Sequence, residues 1–401
     1  MAGLAAAVEL AQRGVAVSLS DSAAQAGGRC RSYFDPQIGA RIDNGNHLVL
    51  SGNPAVNRYL AAIGASDKLA GPDNADFHWV NVTTGERWRI SPSAGRIPWW
   101  VLNAGKRVPG TGVGDYLPLA RFLKPAPDKT LGELLPERGP LWRNLLEPFF
   151  VSALNTKPDE ASADLAGAIV RETLVAGGDA YRPRIAHPSL AAAFVDPALD
   201  LLKAKGADVT LKQRLRRIVF DDSRVTALDF GDGEVPLGPD DHIILAVPPW
   251  VAEELVPGLT VPDRFHAIVN GHFAMAPPPG TPMILGVLGG TVEWIFAFED
   301  RISVTISCAD DLAAEAREPL AAKLWADVAK ALNLPPELPR WQIVKEQRAT
   351  FSATPTQDAR RPQAETRWPN LVLAGDWTAT GLPATIEGAL RSGHRAATLV
   401  G

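Results

Sequence analysis

The alternation of apolar and polar positions begins with a helix. Gly3 to Arg13 reads Gly-Leu-Ala-Ala-Ala-Val-Glu-Leu-Ala-Gln-Arg, a run of strong helix formers with small residues along one face. Gly14 supplies the stop. Val15 to Ser20 is a short apolar run ending at Asp21 and predicts a strand. Helix and strand together make the second half of a βαβ unit. The strand expected before the helix is not in the chain, because residue 1 already stands at the helix start. Gly27-Gly28-Arg29 follows, and a polar stretch from Asp43 to His47 leads into Leu48-Val49-Leu50. Pro54 to Leu69 is predicted helical.

From Phe77 the character changes. Trp79, Val80 and Val82, then Thr84-Gly85, then Arg87 to Ile90 predict a hairpin. Residues 95–128 are rich in Pro, Gly and Trp, and helical patterns return over Leu131–Leu135, Leu141–Leu154 and Ala161–Val175. Pro197 to Lys205 reads as a helix stopped by Gly206. Strands are predicted over Asp208–Leu211, Ile218–Phe220, Val225–Phe230 and His242–Val247, with turns at Asp221-Asp222 and Gly231-Asp232-Gly233. A further set spans Phe265–Phe273, Met283–Val287, Val292–Phe298 and Ile302–Ser307, followed by a helix over Leu312–Leu332. The last strand, Leu371–Ala374, runs into Gly375-Asp376 and a helix from about Thr385. Pieces of one nucleotide-binding unit thus appear at the start, middle and end. The simplest organisation is a discontinuous cofactor-binding domain of residues 1–76, 190–255 and 340–401, with residues 77–189 and 256–339 as a substrate-binding domain.

Composition narrows this picture. With 401 residues, 46% of them hydrophobic, the chain can bury a sizeable core. Nothing in a net charge of −5 suggests nucleic acid as a partner, which would call for a concentrated basic face. Two cysteines, Cys30 and Cys308, stand far apart in no metal spacing, which fits a reducing cytoplasm. No apolar run is long enough to span a bilayer. Eleven Trp against four Tyr fits an apolar cleft or an interfacial surface, though ordinary core packing accounts better for most of them; Trp99 and Trp100 are candidates to anchor a membrane face or line the substrate mouth, with plain packing an equal reading.

The candidate chemistry lies in three segments. A dinucleotide site needs glycines where the backbone approaches the pyrophosphate, a helix N-terminus aimed at it, and an acid about 20 positions on for the ribose hydroxyls. Gly3 is the last glycine of such a loop and Asp21 stands where the acid belongs. Gly27-Gly28 lets the chain pass close to a cofactor, and Arg29 can reach a phosphate or a flavin edge. Gly375-Asp376 closes a buried strand, where the carboxylate can accept from a ribityl hydroxyl; Thr385 and Ile386 open a helix whose free N–H groups can face the ring or the pyrophosphate. Val209, on the Asp208–Leu211 strand, joins these cofactor-binding candidates. Each segment alone is ordinary; their order together is not.

The N-terminal helix, Asp21, Gly27-Gly28-Arg29, Ile243 to Pro249 and Leu373-Ala374-Gly375-Asp376 resemble the FAD-dependent amine oxidase and phytoene desaturase superfamily. That likeness covers essentially the whole chain and implies an α/β fold: a Rossmann-like FAD-binding domain lacking its first strand, with an inserted α+β substrate domain. In that superfamily the loop into the first helix reads Gly-x-Gly-x-x-Gly, and Met1-Ala2-Gly3 matches only its end. The missing strand and glycines are expected immediately upstream, as in an N-terminally shortened gene product. Within the superfamily, Gly27 to Ser32, Ile42 to Asn53 and Lys345 to Phe351 are similar to the squalene-associated branch, the hydroxysqualene dehydroxylases of hopanoid synthesis. The resemblance implies FAD as cofactor, a long apolar isoprenoid as substrate, and reduction of hydroxysqualene to squalene. In such a reaction the leaving hydroxyl needs a proton. The resemblance puts the Asp43–His47 stretch near the flavin, so His47, with modest tuning, and Asp43, if burial raises its pKa, are the catalytic candidates. Glu387 is a further candidate, though such a residue more often serves a helix terminus. His187, His266 and His272 are weaker, and no set has metal spacing. An amine oxidase or a carotenoid-type desaturase on the same fold is the competing enzyme reading. An inactive, shortened flavoprotein is the third.

Overall fold

The computed structural model describes residues 1–400. The first helix, Ala2–Gln12, is buried on nearly every side, because its alanines let other elements approach closely. Val8 and Ala11 pack with Val17 and Leu19, while Ala6 and Leu10 pack with Ile244 and Val372. The last helix, Ile386–Leu399, lies along it. Contact is so close that a Cβ on Gly393 would sit 2.3 Å from the Ala2 carbonyl oxygen.

Two parallel strand pairs flank the first helix. Ser18–Asp21 pairs with Asp208–Leu211, Asp21 facing Leu211; Ile243–Leu245 pairs with Leu371–Leu373. Among the described residues no strand hydrogen-bonds the two pairs together. This is the Rossmann-like half of an α/β fold. The chain enters it three times, at the start, in the middle and at the end.

The other half is a seven-stranded sheet. Its spatial order is Trp341–Phe351, Phe265–Phe273, Ile302–Ile306, Trp294–Ala297, Ile284–Leu288, Phe77–Asn81, Arg87–Ile90. Strand periodicity sorts its side chains. Val269, Phe273, Ile302, Val304 and Ile343 face the helix Arg317–Leu332 and form an apolar layer with Leu320, Leu324 and Trp325. The alternate positions Asn270, His272, Ser303 and Thr305 are polar yet buried. They lie under the Asp43–His47 stretch.

Some elements differ from the sequence pattern. Trp341–Phe351, placed by pattern with the cofactor-binding segments, is an edge strand of this sheet beside Phe265–Phe273. The helix from Pro54 ends at Ala62 rather than Leu69, because Gly64 with φ +68° turns the chain away. The run Leu312–Leu332 is two helices, Asp310–Ala314 and Arg317–Leu332, parted at Glu315-Ala316 where the backbone is extended. Two short antiparallel strands, Ser32–Asp35 and Ala40–Asp43, carry Asp43 into place; the pattern did not mark them. No helix among the described residues is long and apolar enough to cross a membrane.

Candidate functional site

Arg29 and Asp376 bring the two strand pairs together. Arg29 follows the strand that ends at Asp21, and Asp376 follows the one that ends at Leu373. Arg29 Nη2 donates to both carboxylate oxygens of Asp376 at 2.7 Å, and Nη1 donates to the Ala349 carbonyl. Burial alone would push the Arg29 guanidinium pKa down; Asp376 beside it more than restores it. Yet 40% of the Arg29 side chain remains accessible, against 9% of Asp376. The paired guanidinium therefore stays open to contact from outside.

The backbone around the pair is open for the same reason. Gly27 and Gly28 have φ of +102° and +57°, a region that costs an L-residue roughly 1–2 kcal/mol. A Cβ on Gly27 would strike Val195 Cγ2 at 2.8 Å, whereas one on Gly28 would meet nothing within 4 Å. Gly28 is therefore required by conformation and leaves free space above it. Gly375 N donates to Ser392 Oγ of the last helix at 2.8 Å. A Cβ on Gly375 would fall 2.3 Å from Trp377 Nε1. Thr385 caps the last helix by accepting from Gly388 N at 3.0 Å, while the N–H groups of Ile386 and Glu387 in the same turn make no hydrogen bond among the described residues. Gly3 stands in the first turn of the first helix, its Cβ position 3.2 Å from Ala246. Asp21 and Val209 lie on the strand pair that leads to Arg29, Val209 opposite Leu19. Asp21 Oδ1 accepts from Ala23 N at 2.8 Å. A long cofactor would touch both groups: phosphate and ribityl oxygens suit the Gly3, Gly28, Arg29 and Asp376 end, and ribose hydroxyls suit Asp21.

The Asp43–His47 stretch sits against the polar face of the sheet. Asp43 Oδ1 accepts from Ser32 Oγ at 2.5 Å and from Leu190 N at 3.0 Å. Burial pushes its pKa up, opposed by those two bonds. Asn44 Nδ2 donates to Glu346 at 3.1 Å; Asn46 N donates to Asn270 Oδ1 at 3.2 Å, which also accepts from Thr305 Oγ1 at 2.7 Å. His47 lies within reach of the Arg29 and Asp376 charges. Burial first, then the Arg29 charge, push its pKa down to about 4, with Asp376 opposing. That is far more than modest tuning: at neutral pH His47 is an uncharged imidazole. Asp43, Asn46, His47, Leu190, Phe296 and Phe298 line a cavity of about 10 Å³. Phe296 and Phe298 continue into an apolar cluster with Ile185, Met283 and Ile284.

Glu387 has a different task from proton transfer. Its carboxylate accepts from Ala55 N at 3.0 Å and Val56 N at 2.9 Å, capping the helix Pro54–Ala62 whose own N-cap residue, Asn53, makes no side-chain cap. Glu387→Ala leaves those two buried donors unpaired, and we expect a loss of about 2–4 kcal/mol of stability, read in a denaturant melt. The remaining histidines serve structure. His266 bridges Asp310 at 2.6 Å and Ser352 at 3.0 Å; His272 is buried against Ser303 at 2.8 Å. His187 N donates to the Lys68 carbonyl. Burial pushes both thiols up, Cys308 to about 12, so neither is a ready nucleophile.

Arg361 has no sequence signal. Its buried guanidinium donates to the Asp376 carbonyl at 3.2 Å, the Thr378 carbonyl at 2.5 Å and Thr380 Oγ1 at 2.8 Å, and lies over the Phe351 ring. It holds the loop that carries Asp376. By contrast, Glu346 and Ala349 lie in the Lys345–Phe351 stretch already singled out by resemblance.

A dinucleotide cleft built on a Rossmann-like half, beside a sheet with an apolar wall, defines a class of flavoprotein. The chain belongs to the flavin containing amine oxidoreductase family, which it matches over residues 1–401. Within that family it is 51% identical to the hydroxysqualene dehydroxylases of Rhodopseudomonas palustris, over 401 residues, and Sinorhizobium fredii, over 399. In both cases the likeness covers 100% of this chain and 96% of the relative. The fold is also that of solved structures of far lower identity. A protoporphyrinogen oxidase from Exiguobacterium is 16% identical with a TM-score of 0.69, and a putrescine oxidase is 17% identical with a TM-score of 0.70; each covers 99% of this chain and 96% of the other.

Proposed function

We propose that this protein reduces hydroxysqualene to squalene, with FAD as its cofactor. The observation that carries the reading is the full-length likeness to hydroxysqualene dehydroxylases. The apolar wall of Ile185, Phe296 and Phe298 facing His47 supports it, since that wall suits a hydrocarbon chain and offers an amine no carboxylate partner apart from Asp43.

The residues present fit the cofactor. Gly28 leaves open space at its Cα, Arg29 keeps its exposed flank toward the cleft, and the last helix presents free N–H groups after Thr385. Gly3, Gly27 and Gly28 would admit the pyrophosphate, Asp21 and Val209 the adenosine end, Arg29 and Asp376 the ribityl and phosphate oxygens, and Thr385 and Ile386 the ring. Reduced FAD supplies a hydride to carbon when bound. The protein does the rest. Replacement of hydroxyl by hydride releases water, so the departing oxygen must gain a proton. His47 is placed to give it, with Asp43 in the same cavity holding the loop to Ser32 and Leu190. The apolar wall excludes water, which would otherwise capture an allylic cation and restore the alcohol. The cavity holds about one water, so a polyisoprene chain must move the Phe296–Phe298 wall to enter. The two free cysteines fit a cytoplasmic setting, at the membrane face where such a substrate resides.

The test is anaerobic incubation with chemically reduced FAD and hydroxysqualene, read by mass spectrometry of extracted lipid. Squalene formation that requires both protein and FAD is expected. Peroxide release from an aerobic amine panel, with no squalene from the alcohol, would overturn the reading.

A further inference from the structure

Six of the eleven exposed large apolar side chains among the described residues are close together in the chain. Ile97, Trp99, Leu102, Val113, Leu117 and Leu123 all fall within one stretch of short turns. The stretch is folded as a unit. Trp100 meets Tyr116 edge to face at 5.4 Å, and Val108 N donates to Tyr116 Oη at 3.1 Å. Its sidedness follows from the chain geometry. Over Val113–Leu123 the turns are 3₁₀, so every third residue shares a face. Tyr116, Leu119 and Phe122 turn inward to the core, which leaves Leu117, Ala120 and Leu123 outward. The two neighbouring tryptophans divide in the same way. Trp100 packs against the core, while Trp99 is 63% exposed; Leu117 is 72% exposed. Nothing in the catalytic reading uses this face.

Charge says what covers it. Between Gly95 and Ala126 stand Arg96, Lys106, Arg107, Arg121 and Lys124 against a single acid, Asp115, in a chain whose net charge is −5. Asp115 is occupied in capping Gly112 N at 2.7 Å. Arg121 pairs with Glu137. Arg96, Lys106 and Lys124 make no ion pair among the described residues. Exposed apolar side chains gathered in one segment and fringed by polar residues mark an interaction site. Exposed Trp and Leu fringed by Lys and Arg fit the headgroup layer of an anionic bilayer, where the rings and aliphatic side chains enter the acyl boundary and the cations meet phosphates.

We propose that the segment from Arg96 to Lys124 docks this protein on an anionic lipid bilayer. This holds independently of which substrate the site takes, and the test uses none. The holoprotein is sedimented with vesicles of phosphatidylcholine, with and without added phosphatidylglycerol. Anionic lipid is expected to raise the bound fraction about tenfold at low salt, and added salt to reverse it. Leu117→Glu/Leu123→Glu should abolish binding, while flavin content stays unchanged. Should that variant fail to fold, Lys106→Glu/Lys124→Glu is the second probe and should lose only the anionic enhancement. Brominated lipids should quench Trp99 emission, seen as the difference from Trp99→Phe. Equal sedimentation of wild type and variants, or none by wild type, would overturn the proposal. So would self-association that the same substitutions abolish without any lipid binding, which would assign the face to a second copy of this chain.

Discussion

Asp376→Ala is expected to weaken FAD binding about 30–100-fold, the equivalent of about 2–3 kcal/mol. The reason lies in what Arg29 loses. Both Asp376 oxygens take Arg29 Nη2 at 2.7 Å, and that carboxylate is what offsets the burial of the guanidinium. Removing one member of a buried pair costs about 3–5 kcal/mol because the other charge is stranded. Arg29 keeps 40% of its side chain accessible, so water screens part of that cost and the expected loss is lower. The stranded guanidinium would also lose its aim, leaving the Ala349 carbonyl as its remaining fixed partner. Asp376→Asn keeps the shape and one acceptor without the charge, and should fall in between, at about tenfold. Fluorescence titration of the apo-protein with FAD measures all three affinities. Asp376→Ala binding as tightly as wild type would show that the pair serves the fold alone.

How much of this was legible in the sequence depends on distance along the chain. The first helix, the parallel strands and the hairpin at Phe77–Ile90 are local patterns, and each could be read from apolar spacing and glycines. The Gly27-Gly28 and Gly375 segments could be read as tight backbone because a positive φ or a crowded Cβ position imposes its demand on contiguous residues. What could not be read is pairing across hundreds of residues. Nothing in the order of amino acids says that Arg29 meets Asp376, or that Arg361 threads beneath the same loop. Glu387 looked like a terminus partner of its own helix and instead caps Pro54–Ala62, because two helices meet there only once the chain has folded. The strand Trp341–Phe351 escaped notice for a related reason. The positions alternating with its apolar ones carry Gln342, Glu346 and Arg348, two of them turned to polar partners inside the protein, so the apolar alternation that marks a strand is weak. His47 was legible as a candidate but its charge state was not. A histidine in sequence carries a pKa near 6.5; only the folded surroundings set it elsewhere.

That charge state makes the second large prediction. His47→Gln is expected to lower turnover about 10²–10⁴-fold, the range for a positioned proton donor. Its pH dependence separates this from a packing defect. With the pKa pushed down to about 4, roughly one imidazole in a thousand is charged at pH 7. Those few imidazolium groups are strong acids beside a leaving hydroxyl, and their number rises about tenfold per pH unit downward. Single-turnover kcat/KM should therefore climb from pH 7 toward pH 5 in the wild type and stay flat in His47→Gln. Stability runs the other way. An unfolded His47 takes its proton near 6.5 while the folded one resists until about 4, so the unfolded chain binds more protons across that window. Folding free energy is complete above pH 6.5 and falls by up to about 3 kcal/mol as pH drops to 4. His272, pushed down to about 3 by its burial and then by the Arg301 charge, adds a loss of the same sign. His47→Gln should flatten part of the acid limb of the melting curve while abolishing the acid rise in rate. A merely structural histidine would change the first and leave the second, and a variant with full turnover and an unchanged pH profile would remove His47 from the reaction.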